Sequence, residues 1–442
     1  MKKSLLTVFA IFITAAGFCQ TTLTNPRTDK KLLKNFQDAR LGLFVHWMAC
    51  FTPATGDSWE IGRKTSKATA DSISFAWNPE KFDAKAIVDF AVKAGCKYIT
   101  VIAKHHDGFC IWDSKYTDFD VTKTAFKKDI LAELGAEARR RGLLYGIYYS
   151  IGDIHECEWT KIPYGGEIMP EPKGGKSHFV SFVHSQVKEL IKKYNPDMLW
   201  FDGFWLGPYW TQQDGRDLYA DIRQTKSATL SRGLSSTRDA EDKHDIFIPD
   251  GASGDYLCME AKTSEGPDYP WEACTSVSYP VYAYDPNAQL LSKKELITMF
   301  SKVICGNGNL LLNIGPDRDG SLPSKLTNRF MEMSEWILKN KEAVYNTAGG
   351  PFKQGDWGGS TYKANKIFLH LRGNQQQVSI NKLKGYKVLS ATEITSGKKL
   401  NITESGKGYN IEIPKNFEGV DIPVIALTLN KQFVFTHWLS IQ

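Results

Sequence analysis

Closely spaced cysteine pairs are missing from this chain. Its eight cysteines stand singly at positions 19, 50, 96, 110, 157, 258, 274 and 305. Without a C-x-x-C pair, neither a zinc ribbon nor a dense disulfide scaffold is indicated. Most read as small buried residues, and a single disulfide stays open for an exported chain. Neither an H-x-H nor an H-E-x-x-H spacing occurs, which removes the commonest metal-hydrolase signatures. No G-x-G-x-x-G follows the first strand-like run, which argues against dinucleotide binding. Internal repeats and low-complexity tracts are absent too. The longest basic run, Arg139-Arg140-Arg141, falls at a helix end and reads as a solvated face, so no nucleic-acid partner is expected.

The N-terminus has the form of an export signal: Lys2-Lys3, a mostly apolar run from Leu5 to Phe18, then Cys19-Gln20. That run is too short to span a bilayer with ease, so no membrane span is expected. Cleavage after Cys19 would leave Gln20 first and, with Lys2 and Lys3 gone, lower the net charge from +6 to about +4. A lipoprotein reading would acylate Cys19, but Phe18 is large where a small residue is wanted. Residues 1–19 are therefore expected to be a signal peptide and the mature chain to be periplasmic or secreted.

What remains is long and apolar enough, at 442 residues and 42% apolar content, for two domains or a barrel with an appendage. Strand-like and helix-like stretches alternate. Leu41–Trp47, Tyr98–Lys104, Leu143–Ser150 and Met198–Asp202 read as strands, and Phe82–Gly95, Lys128–Gly142 and Phe179–Asn195 as helices. Shorter strands are expected at Ile246–Ile248, Tyr256–Met259 and Asn309–Ile314. Near-continuous apolar strands in a βαβα order imply a parallel sheet covered by helices. Six to eight of them over about 300 residues suit a (β/α)8 barrel better than an open doubly wound sheet. A helix Lys325–Asn346, with Ser324 as its cap, should close this domain, taken as residues 27–348. From 349 to 442 the texture changes to short alternating runs at Ile367–Leu371, Gln377–Ile380, Tyr386–Ser390, Tyr409–Ile413 and Val424–Leu429, an all-β sandwich domain.

Polar groups gather at the ends of the expected strands. The first ends in His46-Trp47, the second runs into His105-His106-Asp107-Gly108-Phe109, the third ends in Tyr148-Tyr149-Ser150, the fourth in Asp202 and a later one in Cys258-Met259-Glu260. In a barrel these ends converge on one face. Taken alone, Asp202-Gly203 reads equally well as a strand-ending turn. Three histidines with carboxylates suggest a metal, yet adjacent His105 and His106 should point to opposite sides of an extended strand. Glycoside hydrolysis needs two carboxylates, one to attack or activate water and one to protonate the leaving group. Neutral imidazoles, tyrosines and the tryptophans Trp47, Trp59, Trp112, Trp200 and Trp205 would serve sugar hydroxyls and faces, which favours the sugar site.

The stretches FVHW at 44–47, KHHDGFCIW at 104–112, YYS at 148–150, WFDG at 200–203, WEAC at 271–274 and GNGNLLLNIGPDRDG at 306–320 resemble the alpha-L-fucosidases of glycoside hydrolase family twenty-nine. Order and spacing match over about residues 27–350. The resemblance implies an exo-acting retaining hydrolase with a barrel and a C-terminal β-sandwich, acting on a fucosylated oligosaccharide or glycoconjugate without metal or organic cofactor. It implies Asp202 as nucleophile and His46, His105, His106 and Tyr148 as ligands of the fucose hydroxyls. Trp59 and Glu60 fall in a segment that supplies further sugar contacts, and Trp205 borders the pocket. For the acid/base Glu260 fits best, with Glu272 in W-E-x-C and Glu265 as alternatives; Glu272 also reads as a carboxylate that orients other side chains. The family's arginine near the nucleophile matches Arg232 or Arg238.

Two departures from the family pattern stand out. Met48 replaces the glycine usual after His46-Trp47, and Ser278–Tyr284 (SYPVYAY) replaces a tryptophan-glycine-tyrosine continuation. Fucose differs from L-galactose by a methyl in place of a hydroxymethyl, and an apolar pocket rejects an added hydroxyl only about a hundredfold. An alpha-L-galactosidase and a catalytically silent sugar-binding protein are the alternatives at this stage, with a metal hydrolase third.

Overall fold

The computed structural model describes residues 28–52, 65–157, 171–203, 209–232, 254–262, 269–417 and 421–440. The first domain is built on eight parallel strands: β1 Leu41–Val45, β2 Tyr98–Lys104, β3 Leu144–Ser150, β4 Met198–Asp202, β5 Leu230–Ser231, β6 Leu257–Glu260, β7 Trp271–Ser276 and β8 Asn309–Ile314. They pair in the order β5-β4-β3-β2-β1-β8-β7-β6. The two edges meet at a parallel bridge between Arg232 and Tyr256 and a 2.8 Å hydrogen bond from the Asp255 amide to the Ser231 carbonyl. That seam curls the sheet into a barrel.

Residue alternation sorts the strands' side chains into two cores. Leu43, Val45, Ile99, Val101, Ile147, Leu199 and Phe201 face outward into the apolar layer beneath the helices. Phe44, Tyr98, Ile102, Tyr148, Met198, Trp200, Cys258, Cys274 and Leu311 fill the barrel interior. The helix Lys30–Ala39 plugs the barrel's N-terminal end with Leu32, Leu33 and Phe36, the last 5.4 Å from Tyr98 and 4.8 Å from Tyr256 between ring centroids. Tyr98 crosses this floor because Gly42 lacks a side chain; a Cβ there would lie 2.2 Å from the tyrosine ring.

The helices are capped from within the sequence. Asp83 accepts from the Ala86 amide at the start of Ala84–Lys93, and Asp129 from the Ala132 amide at the start of Ile130–Arg140. The expected closing helix is two: Ser324–Lys339 and Lys341–Val344, broken at Asn340. Ser324 is its first helical residue and makes no cap; Pro323 stands at the N-cap position. Trp271–Ser276 and the two-residue Leu230–Ser231 are strands that periodicity did not reveal, because runs this short or this polar carry no pattern. The expected strand Ile246–Ile248 lies outside the described residues.

The second domain packs a six-stranded antiparallel sheet against a three-stranded one. Ile367, Leu369, Ile425 and Leu427 from the larger sheet and Val378, Ile380 and Ile411 from the smaller share one apolar core, which makes it a sandwich. Its first strand begins at Ala348. No helix among the described residues is long and apolar enough to cross a membrane.

Candidate active site

The residues singled out at the strand ends come together at the C-terminal mouth of the barrel. Asp202 is the last residue of β4 and faces inward, two positions after Trp200. Its carboxylate accepts the Tyr148 hydroxyl at 2.6 Å on one oxygen and the Gly203 amide at 2.9 Å on the other. Gly203 is required twice over. Its φ of +65° disfavours a side chain, and a Cβ would lie 2.8 Å from the Gly152 amide nitrogen. The Asp-Gly pair is thus both a turn and part of the site.

The two adjacent histidines correct the sequence reading. Strand β2 ends at Lys104, and residues 105–108 turn, closed by a hydrogen bond from the Gly108 amide to the His105 carbonyl at 3.1 Å. Off the strand, both imidazoles reach one side, with ring centroids 4.3 Å apart. His105 stacks on Tyr148 at 5.4 Å, and His46, just past β1, lies 4.9 Å from His105.

Burial sets the charge of this cluster. It lowers all three histidines: His46 and His105 lie well below their ordinary 6.5, and His106 falls to about 3, with neighbouring histidines adding to each shift. All three are neutral at pH 7, each offering one donor and one acceptor nitrogen. For His106 the tautomer follows from its partners. Ser150 Oγ donates its proton to the Gly152 carbonyl at 2.7 Å, so the 2.6 Å contact from His106 Nδ1 to Ser150 Oγ needs the proton on Nδ1. His106 Nε2 is then an acceptor, 3.8 Å from the acceptor Asp202 Oδ2. A hydroxyl between or beside them could donate to either acceptor. The Nδ1 of His46 is buried without a hydrogen-bond partner.

One donor atom each from His105, His106 and Asp202 lie within 4.8 Å of one another, a spacing that a cation can use. Tyr148 and Ser150 bond to two members of this trio.

The carboxylates separate by depth. Glu260 ends β6, exposed at the mouth; only the short β5 stands between its strand and that of Asp202. Glu272 is the second residue of β7, level with Asn309 at the start of β8, buried in the lower barrel. Tyr98 donates to one of its oxygens at 2.5 Å and Trp200 Nε1 to the other at 3.0 Å. Burial raises its pKa to about 7. Reading Glu272 as a candidate acid is therefore corrected: it lies beneath the site, with both oxygens engaged by the floor and wall.

Other expected residues fall elsewhere. Trp47 and Trp112 sit in the helix-facing core, Trp47 edge-on to Trp77 at 4.9 Å and Trp112 bonded to Glu189 at 3.0 Å, so neither stacks on a ligand in the barrel. Trp200 lines the interior below Asp202, stacked on Tyr148 at 5.2 Å. Arg232 lies at the barrel seam, 4.0 Å over the Trp200 ring and bonded to the Phe201 carbonyl. Trp59, Glu60, Trp205, Arg238 and Glu265 lie outside the described residues. Sequence reasoning passed over Tyr282, whose hydroxyl bonds to Glu260 and whose ring lies 5.4 Å from His46. Its signal was the departure at Ser278–Tyr284.

Known proteins resemble this chain in sequence and in fold. A family model described as alpha-L-fucosidase matches residues 17–342. The tissue alpha-L-fucosidase of Rattus norvegicus is 28% identical over 346 residues, covering 72% of this chain and 71% of that protein. The alpha-L-fucosidase of Dictyostelium discoideum is 24% identical over 351 residues, covering 71% of each. Among solved structures, a Bacteroides thetaiotaomicron alpha-L-fucosidase of glycoside hydrolase family twenty-nine superposes with a TM-score of 0.79 at 25% identity, covering 93% of this chain and 99% of that one. It was trapped as a covalent intermediate with 2-fluoro-fucosyl fluoride, using a glutamate-to-glutamine mutant. With nearly three-quarters of the chain inside that family model, and 93% of it covered by such a structure, the chain belongs to the alpha-L-fucosidase family of glycoside hydrolases.

Proposed function

We propose that this chain releases alpha-linked L-fucose from the ends of oligosaccharides or glycoconjugates by a retaining double displacement. The observation that carries the reading is the Asp202 carboxylate, oriented by Tyr148 and Gly203 beside the neutral, acceptor-facing His106. Such a set binds sugar hydroxyls while leaving a carboxylate aimed at an anomeric carbon. In the first step Asp202 attacks that carbon as protonated Glu260 gives its proton to the departing oxygen. In the second, the Glu260 carboxylate takes a proton from water, which displaces Asp202 and frees L-fucose with its configuration retained. His46, His105 and His106 bind hydroxyls as neutral rings. The N-terminal Lys2-Lys3 and the apolar run to Phe18 support export to the periplasm or beyond.

The test is hydrolysis of an aryl alpha-L-fucoside by wild type and Asp202→Ala in the presence of chelator, with the released anomer followed by NMR. The expected result is the alpha anomer first, with turnover lost by at least about a thousandfold in the mutant. Beta anomer first would mean inversion, and loss of wild-type activity in chelator would turn His105, His106 and Asp202 into metal ligands. Glu260→Ala should slow natural linkages far more than aryl fucosides with good leaving groups; equal slowing would remove Glu260 from the acid role.

A further inference from the structure

The segment Ser278–Tyr284 is packed against the candidate acid. The Tyr282 hydroxyl accepts from Cys274 Sγ at 3.9 Å, and Cys274 is the residue that pairs with Glu260 across the sheet; the same hydroxyl bonds to Glu260, and the ring lies 5.4 Å from His46, so one side chain touches both the acid and the sugar-binding wall. Its backbone is held from below. Asn313 Nδ2 donates to the Tyr282 carbonyl at 2.7 Å and to Ser276 Oγ at 3.1 Å. Gly315 lets the segment lie close, because a Cβ there would stand 2.5 Å from the Tyr284 amide nitrogen and 2.7 Å from the Tyr282 carbonyl oxygen. The stretch NLLLNIG thus acts as a cradle for residues 282–284 as well as a barrel strand. The two departures also meet: Met48 and Ala283 share one small apolar cluster with Cys50 and Ala70. Met48 thus fills space behind the wall that carries Tyr282.

We infer that Tyr282 is a positioning residue for Glu260, clamped by Asn313 and Gly315, and that it sets the proton donor's orientation toward the leaving group. The inference rests on Glu260 being the acid/base. A phenol O–H donates to one carboxyl oxygen and leaves the other free to carry the transferable proton. Removing an O–H donor from a carboxyl favours its protonated form over the ionised one.

The experiment compares wild type, Tyr282→Phe and Glu260→Gln on an aryl alpha-L-fucoside with a good leaving group and on a fucosylated disaccharide. Tyr282→Phe keeps the ring and removes only the hydroxyl. We expect kcat on the disaccharide to fall about tenfold, the aryl fucoside to lose less than threefold, and KM to change little. The basic limb of the kcat/KM profile should move up by about half to one pH unit. Equal losses on both substrates with an unmoved basic limb would make Tyr282 a mere wall and overturn the inference. If Glu260→Gln hydrolyses the disaccharide as fast as wild type, the acid assignment itself fails, and the inference with it. A circular dichroism spectrum matching wild type shows that Tyr282→Phe keeps the fold, so its kinetics report the hydroxyl.

Discussion

Glu272 and Glu260 are the same residue type on adjacent strands, and their surroundings give them different work. Glu272 accepts from Tyr98 and Trp200 in the buried lower barrel, and burial raises its pKa to about 7 from an ordinary 4.5. The folded protein therefore keeps a proton that the unfolded chain releases once pH passes about 4.5. Stability should fall as pH rises through the window from about 4.5 to about 7, by roughly 2–3 kcal/mol in all. Glu272→Gln cannot titrate, so its stability relative to wild type should improve by about that much between pH 5 and pH 8, as read by urea unfolding at each pH. Its kcat on a fucosylated disaccharide should stay within a few-fold of wild type. A variant that lost disaccharide hydrolysis but kept aryl fucosides would make Glu272 the proton donor after all.

At the scale of elements, the turn 105–108 depends on an ion pair that no local pattern announces. Lys104, the last residue of β2, is fully buried against Asp153 at 2.8 Å and the Tyr149 hydroxyl at 3.0 Å. The loop after β3 that carries Asp153 also binds the turn directly, through the Ile154 amide to the His106 carbonyl at 2.7 Å. Asp153→Asn would leave the lysine charge buried without its counter-ion, at a cost of about 3–5 kcal/mol in urea unfolding, and should loosen His105 and His106. Adding Lys104→Met should recover much of that stability, since no unpaired charge then remains. If Asp153→Asn unfolds like wild type, the pair does not hold the turn. The motif KHHDGF was legible in the sequence, but the place where its strand stops was not. Periodicity runs on through His105 and His106, whereas the turn is imposed by a loop some fifty residues along the chain.

Across the whole molecule the barrel and the sandwich share apolar packing. Phe368, Val424 and Ala426 of the sandwich belong to the same cluster as Phe330, Trp336 and Ile337 of the barrel's closing helix. Trp336 Nε1 also donates to the Ile422 carbonyl at 3.0 Å, and Thr361 Oγ1 to the Ala343 carbonyl at 2.8 Å. A chain ending at Ala348 would expose that face of the helix to water, so it should aggregate or melt well below the full protein. The full chain should unfold in a single calorimetric transition. Two separated transitions, or a soluble truncated barrel with the full melting temperature, would show the domains to be independent.

The sequence by itself determined the strand-helix alternation, the change of texture at the second domain and the set of polar residues at strand ends. Each rests on local periodicity or on a compact motif, and both survive in one dimension. Tertiary structure decided what those residues do to each other. It turned His105 and His106 to one side, drove Trp47 and Trp112 into the helix-facing core, sank Glu272 to the barrel floor and brought Tyr282 to Glu260. Such outcomes depend on register, on strand ends and on contacts between distant segments. A barrel sets these only when its sheet closes, here at the Arg232–Tyr256 seam.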